Sequence, residues 1–233
     1  MLLLVNLRFK SALKVGGGDL AQGEEFRVIL HSDTIFSAVL NEWVRIYGRD
    51  SAETLLSAFG GDLQPFRISS AFPYYLDEYY LPTPYSTGEL YMHKLKDTPF
   101  LELYDFIDLA DGVHKSILKK DLTNPLETIL FQQVTPRVTI DRISTATNVY
   151  QTTGWQFKEG GGLYFIIDLH DSSLKEKIEL SIKMLGDSGL GGDRSVGYGL
   201  FDADICQIND AAGWSELFRR RSGENITYCT LSL

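Results

Sequence analysis

The spacing of apolar residues divides the chain into stretches of two different periods. Residues 1–10, rich in Leu and Val, read as a buried first strand, and 26–30 as a second. Between 35 and 47 the period lengthens: Ile35, Phe36, Val39, Leu40, Trp43, Ile46 and Tyr47 fall on one broad helical face. Ser32 or Asp33 is the expected cap of this helix, and Gly48 its end. A second helix is predicted over 51–59, opened by Asp50 and Glu53 as a capping box and stopped by Gly60-Gly61. Aromatic strands broken by proline follow at 66–75 and 79–85, then a helix-like stretch at 100–109 and a turn at Asn124-Pro125.

From Thr135-Pro136 the alternation becomes strict. Val138 and Ile140 lie opposite Arg137, Thr139 and Asp141, a strand with one wet side. Residues 148–157 and 162–169 read as a hairpin around Lys158-Glu159-Gly160-Gly161. A helix then places Leu174, Ile178, Ile182 and Leu185 on one stripe, with Ser173 and Glu176 as capping box and Gly186 as C-cap. A final clear strand runs over 198–208, and 227–233 reads as a strand barely begun, expected to be truncated or completed elsewhere. This order predicts an α+β protein of two ferredoxin-like (RRM-like) domains. The first is expected over 1–136 with an aromatic hairpin insertion, the second over 137–233.

Between the last helix and the last strand, six of the 21 glycines fall within Leu185–Phe201. Glycine allows positive φ and close approach at an entropic cost, so such a concentration points to contact with something. One reading is a helix-to-strand connection. The other is a backbone cradle in which successive N–H groups meet an anion, with Arg194 adding charge and Ser195 a donor. Nucleotide-cofactor loops are excluded: there is no Gly-Lys-Ser/Thr ending, and the loop precedes a strand instead of following one.

Composition narrows the classes further. At 233 residues with 44% hydrophobic content the chain is globular, and its net charge of −9 argues against non-specific coating of nucleic acid. The charge is uneven: residues 1–136 hold 12 basic and 18 acidic side chains, residues 137–199 hold 7 and 8. The region ending in the glycine-rich loop is therefore the least acidic and permits a local anion site. No apolar run reaches the ~18 residues of a membrane span and no signal-peptide pattern opens the chain, so a cytoplasmic protein without a membrane partner is expected. Cys206 and Cys229 are expected as buried reduced thiols.

His31, His93, His114 and His170 lack metal spacing, and no nucleophile elbow is present. A ribonuclease drawing on Asp33, Asp141, Asp187, Asp193, His31 or His170 stays open, although each aspartate also suits a cap or turn. The six tyrosines of Tyr74–Tyr91 are expected to pack a half-buried hairpin, with base stacking as the alternative.

The run from Gly189 to Gly199 after an amphipathic helix resembles the glycine-rich loop of the RAMP superfamily of CRISPR proteins. Ser32–Ala38 resembles the first-helix start of one branch, and Thr135–Arg142 the beginning of its second domain. Together they are similar to the branch formed by the fourth Csm subunit of type III-A effector complexes. The resemblance implies a non-catalytic scaffold of two RRM-like domains, without cofactor or metal. Such a scaffold caps the 5′ handle of the crRNA and contacts the large palm-domain subunit and the backbone RAMP subunit. It further implies RNA contacts for Gly189, Gly191, Gly192, Arg194 and Ser195, with Arg137, Arg142 and Asn148 as neighbours and Lys14, Gly16 and Gly17 at a second approach. Two alternatives are a guide-processing endoribonuclease of the same superfamily and the equivalent subunit of a type III-B complex.

Overall fold

A computed structural model describes residues 1–15, 30–84, 95, 98–112, 124–140, 147–208, 213–218 and 230–231. The expected strand at 26–30 lies outside these apart from Leu30, as do Tyr85 and Tyr91. In chain order the elements are β1 Leu2–Phe9, α1 Ser32–Tyr47, α2 Arg49–Ala58, β2 Phe66–Ile68, β3 Phe72–Tyr75, β4 Glu78–Pro82 and β5 Phe100–Glu102. There follow α3 Leu103–Ala110, α4 Pro125–Ile129, β6 Leu130–Ile140, β7 Thr147–Phe157, β8 Gly161–Leu169, α5 Lys175–Ser188, β9 Phe201–Gln207 and α6 Trp214–Leu217.

Among the described residues, seven strands make one antiparallel sheet in the order β5-β4-β3-β8-β1-β9, with β2 also on β8. β1 therefore lies between two strands from the far end of the chain. The pattern β1-α1-β3 and β8-α5-β9 interleaves two split βαβ halves, which is the ferredoxin-like arrangement. The two expected domains meet at 136/137. Strands on both sides of the 136/137 boundary share one sheet, and the boundary itself falls inside β6. Among the described residues this sheet holds one such unit, with an insertion between β3 and β8.

The core explains the strand assignments. β8 is buried along nearly its whole length because both its faces are covered, so it reads as a continuous apolar run without alternation. Leu3, Val5 and Leu7 of β1 pack with Ile35, Val39 and Trp43 of α1 and with Ile178, Ile182 and Leu185 of α5. Each such side chain contributes about 1.5–3 kcal/mol on removal from water. Gly186 is not a C-cap: it sits inside α5 where a Cβ would strike the Phe201 carbonyl oxygen, so the helix runs on to Ser188 and ends at Gly189.

Several helix starts differ from expectation. α1 is preceded by His31 without a side-chain cap, and the Ser32 N–H donates to Ser70 Oγ at 3.2 Å. α2 begins directly after Gly48, and Arg49 pairs with Glu53 along the helix instead of Asp50 and Glu53 closing a box. Asp171, not Ser173, provides the cap before α5, accepting from the Ser173 N–H at 3.0 Å. Asn124-Pro125 is a helix start, with Asn124 accepting from the Leu126 N–H at 3.1 Å. The stretch 100–109 is a short strand followed by a helix.

The hairpin expected around residues 158–161 does not form. β7 pairs with β6 as a separate two-stranded arm, whereas β8 joins the main sheet. The tyrosines serve packing: Tyr74 is buried and stacks on Tyr79 with centroids 5.9 Å apart, and the buried Tyr164 hydroxyl donates to the Tyr80 carbonyl at 2.8 Å. Cys206 is exposed on β9, contrary to the buried thiol expected; Cys229 lies outside the described residues.

Candidate nucleic-acid interface

The glycine-rich loop leaves α5 through Gly189, whose φ of 82° turns the chain while its N–H bonds the Leu185 carbonyl at 2.8 Å. Its next residues run along the segment that follows β1. Gly192 N–H donates to the Lys14 carbonyl at 2.8 Å, Gly199 N–H to the Ala12 carbonyl at 2.8 Å, and Lys10 N–H to the Leu200 carbonyl at 2.8 Å. On its other side the same segment holds the arm, through paired bonds of 2.7 and 2.8 Å between Leu13 and Trp155. Arm, segment and loop thus form three adjacent layers of backbone.

This geometry changes the reason for some of the glycines. At Gly191 a Cβ would meet the Lys14 carbonyl oxygen, and at Gly189 it would lie 2.6 Å from the Tyr198 carbonyl oxygen. These two are glycine because protein backbone approaches them, not because a ligand must. The outward part of the loop is Gly192 to Gly197, all exposed. Asp193 adopts the left-handed conformation (φ 55°, ψ 27°) and leads into a single 3₁₀ turn, Arg194–Val196. Successive left- and right-handed residues turn their N–H groups to one side, a concavity suited to an anion. Among the described residues, the N–H groups of Asp193, Arg194 and Ser195 and the side chains of Arg194 and Ser195 make no hydrogen bond.

Other expected contacts are arranged differently. Lys14 is at the loop, but its ammonium is 2.8 Å from the Asp193 carboxylate, and that hydrogen bond raises its pKa above the ordinary lysine value. Arg137 also reaches the loop, where it lies against Tyr198 and donates to the Val196 carbonyl at 3.3 Å. Asn148 is exposed on the same arm face, two positions farther from the loop than Tyr150, which pairs with Arg137. Gly16, Gly17 and Arg142 lie outside the described residues.

Sequence reasoning missed Tyr198, Thr152, Gly154 and Tyr150. Tyr198 is 5% exposed, and its hydroxyl lies 3.0 Å from Thr152 Oγ1. Burial opposes ionisation of its phenol, yet hydrogen bonds from Thr152, Thr135 and Arg137 bring its pKa below the ordinary tyrosine value. Gly154 was the available signal, since an isolated glycine in a strand marks close approach by another group. Tyr150 is 45% exposed beside Arg137.

The ribonuclease candidates are dispersed. His170 bonds the Gln64 carbonyl at 2.7 Å through Nδ1 and Asp168 at 3.0 Å through Nε2. Asp168 pairs with Leu2, at the opposite end of β1 from the loop, roughly 25 Å away at about 3.3 Å per residue. His31, Asp33 and Asp187 are exposed, Asp193 is engaged by Lys14, and Asp141, His93 and His114 lie outside the described residues. Among the described residues no group of three or more His, Cys, Asp or Glu side chains is placed to hold a metal ion, and no helix is long and apolar enough to cross a membrane.

Residues 6–202 match the family model of the RAMP superfamily. The chain belongs to the RAMP superfamily. A relative, the CRISPR-system protein Csm4 of Thermococcus onnurineus, is 33% identical over 206 residues, covering 82% of this chain and 68% of its own. The chain spans about two thirds of the length of the curated Csm4 relatives it matches. Among solved structures, a chain of a Csm1–Csm4 cassette in complex with cA4 superposes with a TM-score of 0.58 at 25% identity, covering 89% of this chain and 70% of that one. A chain of a Csm3–Csm4 subcomplex from a type III-A interference complex gives 0.62 at 21% identity, with the same coverages, and shows the shared fold.

Proposed function

We propose that this RAMP protein is a non-catalytic RNA-binding scaffold subunit of a type III-A CRISPR effector complex. In this reading it caps the 5′ handle of the crRNA and docks both a large palm-domain subunit and a backbone RAMP subunit. The observation that carries the proposal is the outward turn Gly192–Gly197, which offers unengaged N–H groups, Arg194 and Ser195 beside the arm in a chain akin to Csm4. Phosphate contacts of this kind fix the register of a strand without reading its bases. The Csm1–Csm4 and Csm3–Csm4 assemblies among the structural relatives support the two protein partners. A second RRM-like unit in the chain is part of the same proposal.

The acidic balance suits a protein that holds RNA inside an assembly and not by itself. An endoribonuclease is disfavoured by the position of His170, away from the loop and engaged by Gln64 and Asp168. The test is to purify the chain from cells that also make the candidate partners and a guide RNA. RNA with a common 5′ sequence should accompany the chain together with the large subunit, and purified chain should leave labelled repeat RNA uncut with or without divalent metal. A stable monomer that recovers neither, or site-specific cleavage lost in His170→Ala, would overturn the proposal.

A further inference from the structure

Tyr198 is a buried aromatic directly after the exposed turn Gly192–Gly197, and its surroundings show what it does. Its ring lies against the bare backbone of β7: a Cβ on Gly154 would be 2.6 Å from Tyr198 Cε1. Thr152 meets its hydroxyl at 3.0 Å, and the Arg137 guanidinium carbon is 5.4 Å from its ring centroid. The same guanidinium donates to the Val196 carbonyl at 3.3 Å, and its Nε is buried without a partner. Arg137 is thus committed to the protein, whereas Arg194 stands free at the surface. Neither single attraction is large: a surface cation–π contact and one hydrogen bond each support only a several-fold change in an equilibrium. Their joint geometry matters more, because it bolts the loop's outward turn to the arm from beneath.

We propose that Arg137 and Tyr198 are positioning residues, a clamp that sets the angle of the turn Asp193–Gly197 relative to the β6–β7 arm so that loop and arm engage one RNA strand together. Arg137 then contributes to RNA affinity through the loop and not by neutralising a phosphate. The inference rests on the reading of the loop as an RNA contact.

The distinction is measurable by salt dependence. Each phosphate contact on a single strand contributes about 0.7 to the slope of log affinity against log salt. The protein, assembled with its partners, is titrated with labelled single-stranded RNA over a salt series. Arg194→Gln should lower the slope by about 0.7. Arg137→Gln and Arg137→Lys should both weaken binding roughly tenfold, the size supported by one hydrogen bond and one cation–π contact, with the slope unchanged. Tyr198→Phe, which keeps the ring and loses only the bond to Thr152, should give a smaller loss, again without a change of slope. A lowered slope in Arg137→Gln with near-normal binding in Arg137→Lys would make Arg137 a direct phosphate contact and overturn the clamp.

Amide exchange in the RNA-free protein separates this proposal from the functional one. Arg137→Gln and Tyr198→Phe should accelerate exchange at Val196, Gly197 and Tyr198, and unchanged exchange overturns the clamp. If the wild-type assembly binds no RNA, the functional reading fails while the exchange result still decides whether the clamp exists.

Discussion

Gly199→Ala is the most demanding substitution that the loop offers. Gly199 has φ 73°, and an added Cβ would run into the backbone of Leu190 at its oxygen, nitrogen and carbonyl carbon. A left-handed conformation costs a non-glycine residue about 1–2 kcal/mol. Relief of the overlap must move Leu190 or Gly199, which strains two backbone hydrogen bonds: Leu190 N–H to the Gly199 carbonyl at 2.9 Å and Gly199 N–H to the Ala12 carbonyl at 2.8 Å. Each is worth about 0.5–1.5 kcal/mol net. Alanine returns about 0.4–1 kcal/mol by stiffening the unfolded chain. The expected loss is about 3 kcal/mol, or a fall in Tm of roughly 6–12 °C for a chain of this size. Gly197→Ala is the internal control, since Gly197 has φ 89° but nothing within 4 Å of the added Cβ. Only conformational strain remains there, a net cost of about 1 kcal/mol or less. Urea denaturation of both variants against wild type reads the difference. Equal midpoints for the two would refute the reasoning that backbone packing, rather than glycine's conformational freedom alone, explains Gly199.

Two further outcomes follow from the site and the core. Asp193→Asn releases the Lys14 ammonium and removes a negative charge beside the free N–H groups, so RNA affinity should rise several-fold while stability changes by less than about 1 kcal/mol, as for exposed pairs; unchanged or weaker binding would place the RNA elsewhere. Burial pushes the Tyr74 phenol up to about 12 and raises Tyr79, Tyr80 and Tyr164 as well. Above the ordinary tyrosine value of about 10, the unfolded chain releases protons that the folded chain keeps, so stability is full below pH ~10 and is lost as pH rises toward 12. Urea midpoints should therefore fall between about pH 9 and pH 11, and Tyr74→Phe should reduce that fall; a flat profile would contradict the burial of these phenols.

Elements with a strong local period were legible from residues alone. The stripes Ile35–Val39–Trp43 and Ile178–Ile182–Leu185 mark helices whose burial follows from spacing, and the glycine-rich loop was visible by composition. Pairing was not legible in the same way. Residues 148–157 and 162–169 are adjacent in sequence and look like a hairpin, yet Phe157 pairs with Leu130 while Leu163 pairs with Leu7. The choice between those partners is made by burial, since β8 needs covered faces and β7 does not. The split βαβ order was likewise hidden, because each half is a complete local pattern on its own.

At the site, residue types were legible and their partners were not. Arg194 and Ser195 are exposed on the outward turn, but Lys14 is taken by Asp193 and Arg137 by Tyr198, contacts between residues 179 and 61 positions apart. Such contacts depend on the three-layer arrangement of arm, segment and loop, which no local pattern encodes. Tyr198 reads in sequence as the first residue of the last strand, with nothing local to name its partner, whereas Gly154 on the opposing strand gives it a seat.

The most direct test of the central claim is photo-crosslinking of guide RNA in the assembled complex, with the adducts mapped by mass spectrometry. Crosslinks are expected within Gly192–Gly197 and on the arm face carrying Tyr150 and Asn148, from nucleotides of the 5′ handle. Adducts confined to other surfaces of this chain, or none on it while the rest of the complex is labelled, would contradict the assignment of the loop as the RNA cradle.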